Sequence, residues 1–259
     1  MSKEHFWPQW LRPLIKPSAP DGHISEIHEG VGKGGLSLKL RTEKQGSVIT
    51  KKFRVVCATC NNGWMSKLEE NAKTIIADLM NGKRPSLNIE QLNILSTWTA
   101  TKVMVAEHGG DRSPLTPFED RHNLYLNGVI PAYFRIYLGL HSSKTETAYH
   151  RHSTTVSRTL KGPCPPLPTG ITRNIQTTSF LIGPLLMHTI SARVDDFDID
   201  EIFHSSILLK IFPSHHSPVN TAQMAVIDDN GLSILANWLN KLLSSSNVLW
   251  INNPPFTNT

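Results

Sequence analysis

The sequence predicts an α+β protein in two parts, a short basic N-terminal part over residues 1–85 and a larger body over residues 86–259. Three observations carry this. Apolar residues recur at helical spacing between Trp64 and Ala106. After Pro131 the texture changes to short β-branched or aromatic segments punctuated by Gly, Pro and Ser. The charge is also uneven. The formal net charge is +5, yet residues 1–85 alone carry 14 Lys/Arg against 8 Asp/Glu, so the positive excess lies in the first third. A basic segment on a near-neutral body points to a polyanion partner, with ordinary solvated surface as the alternative.

Residues 1–37, rich in Pro, Gly and His, read as a loop-rich lead segment. Residues 38–56 read as two strands with a turn around Gln45-Gly46. A helix follows, with Trp64, Leu68, Ala72, Ile75, Ile76 and Leu79 on one face and Asn81-Gly82 as its stop. Ser66 and Glu69 have the spacing of a capping box; alternatively the helix begins at the cysteines and continues through Gly63. A second helix fits residues 88–107, its stripe formed by Leu92, Leu95, Trp98/Thr99, Lys102/Val103 and Ala106. A third fits 117–126, with Thr116 as N-cap, Pro117 in the first turn and Glu119 as box residue. Antiparallel strands are expected at 132–141, 148–158, 177–182, 186–193 and 206–212, then an amphipathic helix over 231–244. Residues 161–170 (KGPCPPLPTG) read as a loop, and the tail from 252 as poorly ordered.

Three cysteines are too few for a disulfide framework, and two of them sit as Cys57-x-x-Cys60. That spacing suits zinc, but two thiolates fill half a tetrahedral site. A thioredoxin-like use would want a βαβ unit, which the pattern lacks. The opening residues, charged from Lys3 and without an apolar stretch, do not have the form of a secretory leader, and no apolar run approaches the roughly 18 residues of a spanning helix. A cytoplasmic location and no membrane partner are the expectation.

Two stretches are distinctive together: Glu4-His5-Phe6-Trp7-Pro8, and Cys57-Ala58-Thr59-Cys60-Asn61-Asn62-Gly63-Trp64 followed by Met65-Ser66-Lys67-Leu68-Glu69. Over residues 1–80 this order resembles the HNH endonucleases, in particular bacterial and phage members with Glu-His-x-x-Pro and Cys-x-x-Cys-Asn-Asn-Gly-Trp motifs. The resemblance implies a ββα-metal module of treble-clef type, followed by a helical connector and a mainly antiparallel β domain of unassigned role. It implies a metal-dependent cut of phosphodiesters, most naturally in DNA, in the setting of mobile elements, phage or defence.

The residue types suit that chemistry. Hydrolysis needs a water nucleophile, a base, and a cation for the phosphate and the leaving oxyanion. The resemblance makes His5 the general base, Glu4 and Asn61 ligands of a catalytic Mg²⁺ or Mn²⁺, and Cys57 and Cys60 ligands of a structural Zn²⁺. Lys51, Lys52 and Arg54 are the expected nucleic-acid contacts. The sequence departs from the family pattern twice. No further Cys-x-x-Cys stands just ahead of Glu4, so the remaining zinc ligands are open, with His23 and His28 nearest and Cys164 remote. The middle asparagine that holds the histidine loop in relatives is also absent; Lys51-Lys52-Phe53 stand there. A degenerate HNH scaffold that binds nucleic acid or a protein without cutting is therefore the alternative, and residues 86–259 offer a protein partner its surface.

Other features read as structural. His150 and His152 fit a solvated strand face, His215-His216 a surface loop, and the acidic run from Asp195 to Glu201 a charged loop that lacks the glycine of a calcium site. Gly30–Gly35 (GVGKGG) lacks a P-loop ending and reads as flexible backbone.

Overall fold

A computed structural model of the chain describes residues 2–15, 22–31, 35–45, 51–109, 114–142, 147–154, 174–194, 199–203, 205, 207–213 and 217–244. The loop at 161–170, the tail from 252, His215-His216 and the acidic residues 195–198 lie outside that set.

Strand β1 (Ser2–His5) begins the described chain, and β2 (Gly22–Val31) and β3 (Gly35–Gln45) form a long antiparallel hairpin. Strand β4 (Lys52–Val56) pairs antiparallel with β1, bringing His5 opposite Lys52. Two strands do flank the expected turn at Gln45-Gly46, but among the described residues they do not pair with each other: β3 pairs back onto β2, and β4 pairs with the start of the chain. The segment read as loop supplies two strands, β1 and β2, and Gly30–Gly35 spans the end of one strand and the start of the next. The β-branched residues of 22–31 are sparse, so alternation alone did not reveal that strand.

Helix α1 (Ala58–Cys60) starts directly at the cysteine pair and runs through a π-helical stretch, Asn61–Met65, into α2 (Ser66–Met80). The second alternative for the helix start therefore holds, with a break at Gly63, whose φ of −100° and ψ of −107° are non-helical. Ser66 is not a cap. After the short β5 (Ser86–Leu87), α3 (Ile89–Ala106) starts with a capping box in which Asn88 accepts from the Gln91 N–H at 2.8 Å and Gln91 accepts from the Asn88 N–H. Helix α4 (Phe118–Asn127) has Pro117 at its N-cap without a side-chain cap. Thr116 is spent elsewhere: its N–H and hydroxyl both donate to the buried Glu107 carboxylate, which also accepts from Gln176.

Strands β6 (Phe134–His141), β7 (Thr147–Thr154), β8 (Ile175–Ile182) and β9 (Leu185–Ala192) appear close to their expected ranges. Helix α5 (Ile199–Ile202), β10 (Leu209–Phe212), β11 (Val219–Asn220), β12 (Val226–Ile227) and α6 (Asp229–Ser244) complete the order. The main sheet runs β10-β6-β9-β8-β7, antiparallel throughout, with β12 added parallel to β6. The chain is an α+β protein rich in antiparallel sheet.

Alternation along the strands gives the sheet two buried faces. Phe134, Ile136, Leu138, Leu140, Phe180, Ile182, Leu185 and Met187 pack with α2 and α3. Tyr137, Ile175, Leu186 and Ile190 pack with α5, Phe203 and Leu208, and with Leu232, Leu235 and Trp238 of α6. The first core takes in Phe6, Trp7 and Leu11 as well, so the expected boundary at residue 85 does not divide it. No helix among the described residues is long and apolar enough to cross a membrane.

Candidate functional site

The histidine of the Glu-His-x-x-Pro motif is held by the residues after it. Phe6 and Trp7 are 2% and 1% exposed. The Phe6 ring meets Trp7 at 4.6 Å, Tyr149 at 5.1 Å, Phe53 at 5.6 Å and Phe180 at 5.7 Å, all edge to face. Phe53 belongs to β4, and Tyr149 and Phe180 to β7 and β8 of the main sheet, so that sheet helps anchor the end of β1. The Phe6 N–H also donates to the Lys51 carbonyl at 2.9 Å.

His5 is half-buried. Its Nε2 lies 2.6 Å from the Gln9 amide nitrogen, while its Nδ1 is buried without a hydrogen-bond partner among the described residues. Burial lowers its pKa first, then the cations Lys52, Lys102 and Arg12, with Glu4 pulling the other way. The ring is therefore held neutral near pH 7, the form that accepts a proton. Gln9 is exposed, so the nitrogen it covers is the one that solvent or substrate can reach by displacing it.

Glu4 points inward, at 6% exposure. Its partner is Lys102 of α3, 98 residues away in sequence and 1% exposed. The Lys102 ammonium donates to Glu4 Oε1 at 2.8 Å, to Glu69 Oε1 of α2 at 2.5 Å and to the His5 carbonyl at 3.4 Å. One ammonium thus joins β1, α2 and α3. Burying a lysine is costly unless it is paired and hydrogen-bonded, as it is here. Lys102 occupies Glu4 Oε1, so a hydrated divalent ion would have to compete with an ammonium for this carboxylate.

The cysteine pair occupies one turn. Cys57 is the N-cap, and its Sγ accepts from the Cys60 N–H at 3.0 Å. Both are free thiols, Cys57 exposed and Cys60 half-buried. The hydrogen bonds from Cys60 push the Cys57 thiol down, and burial pushes the Cys60 thiol up. Asn61 follows, half-buried, its N–H donating to the Cys57 carbonyl at 2.9 Å. Among the described residues no group of three or more His, Cys, Asp or Glu gathers to hold a metal. His23 and His28 lie on β2, and the placement of their side chains is outside the described set, as is Cys164. Two thiolates alone do not close a structural zinc site.

Lys52 and Arg54 are exposed and alternate with the inward Phe53, as a strand requires. Lys51 lies over the Phe53 ring at 5.3 Å and the Phe6 ring at 6.0 Å. His150 is exposed on β7. Asp200, from the end of the acidic run, is paired with Arg135 at 2.9 Å and Lys210 at 3.1 Å.

Sequence reasoning missed Lys102, Glu69 and Gln9 as members of this site. A signal for the first was present: a lysine on the apolar stripe of a helix calls for a buried carboxylate. No family model, no curated protein and no solved structure matches the chain.

Proposed function

We propose that the chain is an HNH-type endonuclease that hydrolyses phosphodiester bonds in DNA, with His5 as general base. The observation that supports this most is one of order and geometry. A strand ending in a half-buried imidazole with a lowered pKa pairs antiparallel with a second strand, which runs straight into the Cys-x-x-Cys-Asn helix. In this reading water replaces the Gln9 amide at the His5 ring, gives up a proton there, and attacks a phosphate drawn in by Lys52 and Arg54 on the exposed side of β4; the P–O bond to one sugar oxygen breaks, and that oxygen leaves with a proton taken from solvent. Mg²⁺ or Mn²⁺ enters the proposal as a component to be supplied and tested, not as an ion on Glu4. Zinc on Cys57 and Cys60 stays part of it only with ligands whose side chains lie outside the described set.

A second reading has its own support. The Lys102–Glu4 pair, and a His5 Nδ1 that finds no partner among the described residues, favour a scaffold that binds nucleic acid without cutting it. Incubating plasmid DNA with the full chain in Mg²⁺ or Mn²⁺ separates the two. The expected outcome is nicking or cutting by the wild type, with His5→Ala slower by about 10²- to 10⁴-fold. Equal rates would remove His5 from the mechanism. Salt-sensitive binding with no cutting in either ion would leave the binding scaffold.

A further inference from the structure

We propose that Lys102 is the resident cation of the Glu4–Glu69 carboxylate pair, and that the wild-type chain takes no divalent ion there. The inference refines the site of the nuclease reading and rests on that reading for its catalytic meaning alone.

Three observations carry it. Both carboxylate oxygens lie within bonding distance of a single nitrogen, at 2.8 and 2.5 Å, so the position between them is the one a bridging ion would take. The occupant is built in. Lys102 leaves from near the C-terminal end of α3, whose neighbouring residues Trp98, Val103 and Ala106 are themselves core, and its side chain is 2% exposed. It is further held by the His5 carbonyl.

The environment also suits an ammonium better than a metal. Magnesium and manganese keep several waters at about 2.0–2.2 Å in octahedral sites. Glu4 is 6% exposed, so a hydrated ion would have to shed waters to reach it, although Glu69 is 24% exposed on its own side. A tethered ammonium meanwhile competes as an intramolecular ligand against an ion at millimolar concentration. Its own charge repels a dication a few ångströms away. Lys102, fixed to α3, thus places one positive charge at the acidic residue beside the histidine.

Titration of Mn²⁺ into the full chain, read by the electron paramagnetic signal of the free ion and without DNA, tests this. Wild type and Glu4→Gln are expected to bind Mn²⁺ alike. Lys102→Met is expected to gain a site about tenfold tighter or more than any in the wild type, lost again in the Lys102→Met/Glu4→Gln double variant. A wild-type Mn²⁺ site that disappears in Glu4→Gln overturns the proposal, as does a folded Lys102→Met with no gain. Should Lys102→Met not fold, the comparison of wild type with Glu4→Gln still decides. Since the assay contains no nucleic acid, failure of the nuclease reading leaves its result intact.

Discussion

At the scale of single residues, the candidate site was legible as chemistry types and illegible as partners. Glu4, His5, Cys57, Cys60 and Asn61 stand out because their spacing is unusual, and spacing is a local property that a sequence displays. Lys102 reaches Glu4 across 98 positions, and nothing local ties the two. The same limit applies to histidines. His141 reads as one more residue of a strand, yet it is 3% exposed, at the edge where β12 joins β6. Burial lowers its pKa, partly offset by a backbone hydrogen bond at Gly183. The folded chain thus disfavours the charged ring, while the unfolded chain protonates it near the usual 6.5. Its contribution to stability is full above that value and is lost as pH falls toward the folded pKa. His5 and His108 shift the same way. Denaturation midpoints are expected to fall from pH 7.5 to pH 5.5, and the fall should be shallower in His141→Asn. A wild type whose midpoint is flat over this range would show that these rings protonate without cost.

At the scale of elements, helices were read better than strands, and the reason is where each finds its stabilisation. The stripes of α2 and α3 repeat within the segment itself, and Ala72, Ile76, Leu79, Leu92, Leu95 and Val103 are buried as the period requires. A strand is defined by what it pairs with, and β1 and β2 could not be placed without knowing their partners. Caps were read from the right residue types at the wrong helices. Thr116 has the composition of an N-cap, but the buried Glu107 carboxylate takes both of its donors, and α4 starts one residue later behind Pro117. A reciprocal box is formed instead by Asn88 with Gln91 at the start of α3. It satisfies donors at the start of an 18-residue helix that carries Lys102 to the site. Asn88→Ala is expected to lower stability by about 1 kcal/mol, with Asn88→Asp close to wild type. A loss no greater than that of a surface alanine elsewhere on α3 would mean that packing alone sets the helix start.

At the scale of the whole molecule, the question is whether residues 1–85 stand alone. Sequence organisation and the resemblance both point to a separable module, but the packing joins it to the body at several places. Trp7 meets Phe180 of β8 at 5.6 Å, Phe6 meets Tyr149 of β7, and Lys102 ties α3 to β1 and α2. The apolar core runs from Phe6 through Ile76 and Trp98 to Met187 and Ile211 without a gap at residue 85. At Phe180 the sheet side of that core is met by the rings of Phe6 and Trp7, which follow β1, and of Tyr149 in β7. A core shared in this way unfolds as one unit, because opening either part exposes the apolar face of the other. Trp7→Ala removes a fully buried indole from that junction and is expected to cost about 3–5 kcal/mol. The loss should appear in α6 as well as near His5. Thermal unfolding followed by far-ultraviolet dichroism and by amide exchange in α2 and in β8 is expected to give one midpoint, displaced together by the substitution. Two midpoints, with only the one reporting residues 1–85 moved by Trp7→Ala, would restore the separable module and detach the histidine site from the sheet that here holds it.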